Sequence, residues 1–147
     1  MELHVEKTER LLSITNEYFN SVSNAVLEFK ASEDKWSKKE ILGHLVDSAI
    51  HNLVRFTEIN YLEKPYRHRT YSQNDLVSLN QYQTMNTNEL LQLWLSLNKQ
   101  IIRIFKNVDY NALDYKIIMN DQSVIDLKFL MTDYVEHLEH HISQILN

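Results

Sequence analysis

Apolar positions recur at three- and four-residue intervals over four long stretches of the chain. From residue 3 to 29, Leu3, Leu11, Ile14, Tyr18, Val22, Ala25, Val26 and Phe29 form one stripe, and the spacing predicts an amphipathic helix. Ala31 to Trp36 interrupts the pattern and reads as a connection. Ser37-Lys38-Lys39-Glu40 has the form of a capping box, in which the serine hydroxyl takes an orphan N–H and the glutamate reaches back. A second helix is therefore predicted from Ser37 to about Leu62, with Ile41, Leu45, Ala49, Leu53 and Phe56 inward and Pro65 acting as its stop. Lys64 to Met85 loses periodicity apart from a helical turn at Asn74 to Leu79. A connection that long is required in a bundle when two successive helices run the same way. Thr87-Asn88-Glu89 opens a third helix, with Leu90, Leu91, Trp94, Leu97, Ile101, Ile104 and Phe105 as its core stripe. Asn107 to Asn120 is a second connection, whose Tyr110, Tyr115, Ile117 and Ile118 suit a short extended piece. The last helix runs from Val124 to Leu146, burying Leu127, Leu130, Met131, Tyr134, Leu138, Ile142 and Ile145. The pattern predicts an all-α four-helix bundle with residues 1–147 in a single domain.

Composition agrees with this picture. The 147 residues are 44% apolar and 24% charged, which suits a globular chain, and they include one glycine and one proline. A sheet protein with many hairpins would need more glycine for positive φ. The chain has no cysteine, so it offers neither disulfides nor a thiolate of its own, and any metal must be held by His, Asp or Glu. No run of about 18 apolar residues is present to span a membrane. The N-terminus lacks a basic segment followed by an apolar one, so a cytoplasmic location is expected. A net charge of −5 argues against nucleic acid as a partner. The nearest basic cluster, Arg67-His68-Arg69, is short and is expected to be a solvated loop.

The candidate chemistry lies in the histidines. His137 and His141, four residues apart in Glu136-His137-Leu138-Glu139-His140-His141, sit on one helix face with Cβ atoms about 5–6 Å apart, which lets two imidazoles converge on one cation. His140 lies to the other side of His137 and pairs with it less conveniently. The best remote third ligand is His44, which has Ile41 and Leu45 beside it. Asp47, Ser48, His51 and Arg55 recur near the same face of the second helix. Three imidazoles would suit Zn, Ni or Fe and leave a position open for water or substrate. Asp47, Asp133 and Glu136 are candidates to orient the non-ligating ring nitrogens. The bland alternatives are that the pair is surface decoration and that Arg55 makes an outward salt bridge. Zincin motifs are excluded, because Leu138 follows His137 and His140 precedes His141 where glutamates are needed. No histidine has an acidic residue three places before it, which removes the di-iron pattern.

With those residues identified, the chain resembles the DinB/YfiT-like superfamily of bacterial metal-binding four-helix bundles. The likeness is carried by Trp36 to Ser48, His51-Asn52, Arg55-Phe56, Leu76 to Tyr82, Leu90 to Asn98 around Trp94, and His137-x-x-x-His141. The resemblance implies an up-down-down-up bundle with a long crossover between helices 2 and 3. It also implies a divalent ion held by His44, His137 and His141, with water completing the shell. Some members of that superfamily look like transferases using thiols such as bacillithiol or mycothiol, and others like hydrolases. The expectation is a metal-dependent transferase that joins a low-molecular-weight thiol to a small electrophile, with Arg55 and His51 as substrate contacts. The alternatives are a hydrolase using the same site and a non-enzymatic interaction module. An apolar helix face would support a homodimer.

Overall fold

The structure is a computed structural model and describes residues Met1–Asn147. Four long helices form the bundle: α1 (Glu2–Ser21), α3 (Lys38–Glu58), α5 (Thr87–Asn107) and α6 (Leu127–Leu146). Short helices α2 (Asn24–Glu28) and α4 (Gln73–Leu79) and a 3₁₀ turn (Tyr110–Asp114) lie in the connections. Strands β1 (Tyr66–Arg67), β2 (Lys116–Ile118) and β3 (Val124–Asp126) make a small sheet in that order, with β1 parallel and β3 antiparallel to β2.

Side-chain pairings fix the helix directions. Lys106 at the end of α5 binds Glu9 near the start of α1 at 2.8 Å, and Thr87 at the start of α5 bonds Asn24 just beyond α1, so these two helices are antiparallel. Ser37 bonds Gln83 ahead of α5, while Phe56 and Phe105 pack edge to face at 5.5 Å near the far ends of α3 and α5. Those two helices are parallel. Lys7 on α1 pairs with Glu139 on α6 at 2.6 Å, and the earlier Leu3 and His4 share a surface hollow with Thr132 and Val135, so α1 and α6 are parallel. His44 meets His137 while Phe56 meets Tyr134, which makes α3 and α6 antiparallel. The result is up-down-down-up. Residues 59–86 carry the chain back along the bundle, as the weak periodicity of that stretch predicts.

The capping box at the start of α3 is formed: Ser37 Oγ accepts from Glu40 N at 3.0 Å, and Glu40 Oε1 accepts from Ser37 N at 3.1 Å. Lys30 adds an ion pair to the same carboxylate. Other boundaries differ from expectation. The first helix stops at Ser21 because Val22 turns extended and Ser23 caps a new turn through Val26 N. Across the break Leu27 is fully buried, whereas Val26 and Phe29 face solvent. Helix α3 ends at Glu58, well before Pro65, in a turn closed by Ile59 N–H to Arg55 O and Leu62 N–H to Glu58 O. Val124 to Asp126 is strand rather than helix, with Ile117 opposite Ile125, and Asp126 caps α6 through Phe129 N at 2.8 Å. Of the Arg67–Arg69 cluster, expected to be a solvated loop, Arg67 ends β1 in register with Ile118, and His68 N–H bonds the Ile118 carbonyl. Both arginines are exposed, and Arg69 lies outside any strand.

The only glycine has a specific use. A Cβ on Gly43 would stand 2.3 Å from the Tyr82 ring, which the crossover presses onto α3. Tyr82 in turn donates its hydroxyl to Asp47 Oδ1 at 2.6 Å, one turn further along the same helix face. The buried apolar side chains form one continuous cluster, and all seven inward positions predicted for the last helix belong to it.

Candidate metal centre

His44 is carried on the second turn of α3, and His137 and His141 lie one turn apart in the C-terminal half of α6. Because α3 and α6 are antiparallel neighbours, the three rings meet between them. The centroids of His44, His137 and His141 are 5.1, 4.7 and 4.5 Å apart in pairs, and one ligand atom from each lies within 4.8 Å of the others. His44 Nε2 and His137 Nε2 are 3.2 Å apart. Two nitrogens each about 2.0–2.1 Å from a tetrahedral zinc would be about 3.3 Å apart, so this separation is already that of neighbouring ligands.

The donor set suits a cation. His44 has no exposed surface, and its pKa is lowered to about 3 by burial, then by the charges that His141 and His137 would carry. His137 falls to about 4, again through burial first and then through His141 and His140. His141 is lowered by burial as well. All three are neutral at physiological pH, and neutral imidazole is the ligating form. His141 Nδ1 donates to Gln144 Oε1 at 2.9 Å, leaving its Nε2 lone pair free, while the Gln144 amide also faces His140. Trp36 lies against the His44 ring, centroids 5.0 Å apart, and shields it from one side. His44 Nδ1 is buried without a hydrogen-bond partner.

The residues proposed to orient the ligands lie elsewhere. Asp47 is turned away, accepting from Tyr82 and Asn80. Glu136 and Asp133 are both exposed, Asp133 at the wall of a cleft. Gln144 contacts a candidate ligand directly, and sequence reasoning passed over it. Its i, i+3 spacing from His141 was the available signal.

That cleft, of about 270 Å³, opens beside His137. His44, Ser48, Asn52 and Arg55 recur on one face of α3, all buried, and the last three form its floor. Tyr71 and Gln73 from the crossover and Phe129, Asp133 and Tyr134 from α6 line its sides. Arg55 is inward rather than in an outward salt bridge: it donates to the Arg69 carbonyl and to Asn52 Oδ1. His51 does not line the cleft. Its Nδ1 bonds the Asp47 carbonyl at 2.8 Å and its ring stacks on Tyr71 at 4.1 Å. A more voluminous groove between α1 and α5, about 580 Å³, contains no histidine and lies on the opposite flank.

No curated protein matches the chain by sequence. The sequence model of one family, described as the DinB superfamily, matches residues 7–145. Among solved structures, YfiT from Bacillus subtilis, described as a probable metal-dependent hydrolase with an unusual four-helix bundle topology, superposes with a TM-score of 0.88. It is 18% identical, over 99% of this chain and 83% of its own. A mycothiol-dependent maleylpyruvate isomerase superposes at 0.73 with 13% identity, and a histidine-to-alanine variant of it at 0.76 with 12%. In both cases 98% of this chain is covered but only 60% of the isomerase. At these identities the likeness is one of fold.

Proposed function

The chain belongs to the DinB superfamily, and from that premise we propose that it is a metal-dependent enzyme acting on a small molecule, with His44, His137 and His141 as the ligands of a divalent cation. The observation that carries this reading is the convergence of three neutral imidazoles beside a cleft, with His44 and His137 at ligand-to-ligand spacing and all three donor atoms within 4.8 Å. When bound, such an ion supplies the positive charge that lets a thiol or a water lose its proton near neutral pH.

The favoured reaction is transfer of a low-molecular-weight thiol to an electrophile. The chain has no cysteine, so the sulfur nucleophile arrives as a cosubstrate. One structural neighbour is described as depending on such a thiol, mycothiol. Asp133, an exposed carboxylate on the cleft wall, would take the thiol proton; partial desolvation and then Glu136 hold its pKa above the usual carboxylate range. The sulfur then bonds the electrophilic carbon, and the group displaced leaves with the bond's electron pair. Arg55 contacts substrate from the cleft floor. His51 acts at one remove, by holding Tyr71 against the cleft.

Asp133 also supports a second reading, hydrolysis, since the same carboxylate would serve as general base for water. This is the reaction class named for YfiT.

The test begins with protein purified without a nickel column. Metal analysis is expected to give stoichiometric divalent ion in the wild type and none in His137→Ala. Metal-loaded protein should then conjugate bacillithiol or mycothiol to 1-chloro-2,4-dinitrobenzene faster than stripped protein. Ester cleavage without thiol would favour the hydrolase, and an absence of metal at the triad would overturn both.

A further inference from the structure

We infer that Arg55 is the counter-ion for a carboxylate, so that the small molecule taken into the cleft is a carboxylic acid whose reactive end is turned toward the histidines. The inference rests on the proposed function for where the reaction occurs. It adds the chemical class of what binds.

Arg55 is 6% exposed and has no carboxylate partner. Its two hydrogen bonds go to neutral acceptors, the Arg69 carbonyl and Asn52 Oδ1. The other buried cation is treated differently: Lys39, 2% exposed, pairs with Glu28 at 3.1 Å. A guanidinium has five N–H donors and stays charged in proteins, so burying it unpaired is costly unless something supplies the missing anion. The guanidinium carbon lies 5.6 Å from the Tyr71 ring centroid, which restrains the planar group at the cleft floor. A planar fork of donors matches the two oxygens of a carboxylate.

The other titratable groups facing the cleft are Asp133, His68, His137 and the phenols of Tyr71 and Tyr134, and Asp133 is the carboxylate among them. Asp133 makes no ion pair with Arg55, and it disfavours a doubly charged ligand such as phosphate. One guanidinium balances one carboxylate. Arg55 follows His44 by eleven residues (55 − 44), which is about 16 Å along the helix axis and within about 20° of the same face. The acid group therefore binds at the end of the cleft away from the histidines, several bonds from the reacting atom, with Ser48 and Asn52 flanking the path between.

The test uses protein stripped of metal with a chelator, so that a carboxylate has no ion to bind. Hexanoate, hexanamide and inorganic phosphate are titrated by NMR. Hexanoate is expected to bind at least tenfold more tightly than hexanamide. Arg55→Gln, which keeps an amide donor for the Arg69 carbonyl, should erase that preference, so that acid and amide bind alike. Should the variant fail to fold, phenylglyoxal modification of Arg55 in the wild type, mapped by peptide mass spectrometry, should be slowed by hexanoate and not by hexanamide. Equal binding of acid and amide, a preference that survives Arg55→Gln, tighter binding of phosphate, or modification indifferent to hexanoate would each overturn the inference. Metal content of the unstripped protein bears on the proposed function alone, so the two fail separately.

Discussion

Replacing Gly43 with alanine sets two effects against each other. In an isolated helix the change stabilises by about 1 kcal/mol, because glycine has more backbone freedom to lose. Here the added methyl would stand 2.3 Å from Tyr82 Cγ and Cδ2 and 2.6 Å from its Cβ. These atoms lie close to the backbone of a residue only 4% exposed, so the side chain cannot swing clear at its tip. Relieving the overlap costs about 1–3 kcal/mol as overpacking. It also pulls the hydroxyl from Asp47, a charge-assisted bond of about 1.5–3 kcal/mol, in a carboxylate whose other oxygen already lacks a partner. The clash wins, and Gly43→Ala is expected to lower stability by roughly 2–5 kcal/mol. Urea unfolding read by circular dichroism, compared at constant m, measures this. In a Tyr82→Gly background, which removes the Cβ as well as the ring, the same substitution should become neutral or stabilising. A Gly43→Ala protein more stable than wild type would refute the reasoning. Because His44 is the next residue, the single variant should also bind metal more weakly.

Two further outcomes follow from the histidines. In metal-free protein, His44 is neutral when folded down to a pKa of about 3, against an ordinary value of 6.5. The unfolded chain thus binds the extra proton, and stability falls with falling pH from about 6.5 downward. Between pH 8 and pH 5.5 the loss from this residue is on the order of 1 kcal/mol. Urea midpoints should show wild type losing that much more than His44→Gln over the same range, and parallel profiles would contradict the assigned burial. Separately, Gln144→Ala frees the His141 ring to rotate and change tautomer. Zinc affinity, measured by competition with a chromophoric chelator, should weaken about tenfold, the lower end of the range for partners of ligating histidines because the site edge is exposed. An unchanged affinity would mean that Gln144 does not hold the ring.

The parts legible in the sequence are those where one local rule meets no competitor. The stripe of the last helix is such a case, since Leu127 through Ile145 face a core on every turn. The Ser37–Glu40 cap is another, because both halves of the reciprocal bond lie within four residues. The break after Ser21 was hidden by apolar residues that keep helical spacing across it, and which of them turns inward depends on packing against α3. Val124 to Asp126 reads as the start of a helix until a partner strand is supplied by Ile117. The His137–His141 pair was visible because it needs only helix geometry. Its distance from His44, the turning of Asp47 toward Tyr82 and the inward aim of Arg55 all depend on the crossover, which carries no periodic signal.

The crossover also explains why the cleft exists. Parallel α3 and α5 force residues 59–86 to travel back along the bundle, and such a loop must find partners for its backbone and somewhere to rest. It finds both on α3. Arg69 offers its carbonyl to Arg55, Tyr71 stacks on His51, and Tyr82 lies in the notch that Gly43 leaves. An up-down-up-down bundle with short loops would leave the His44–Arg55 face of α3 packed against a neighbouring helix or open to water. In this topology the return segment, with Gln73 and Tyr71, and α6 form the two sides of an open cleft that His137 also lines. The connection that costs the most chain entropy is therefore the one that supplies a wall of the cleft beside the histidine cluster.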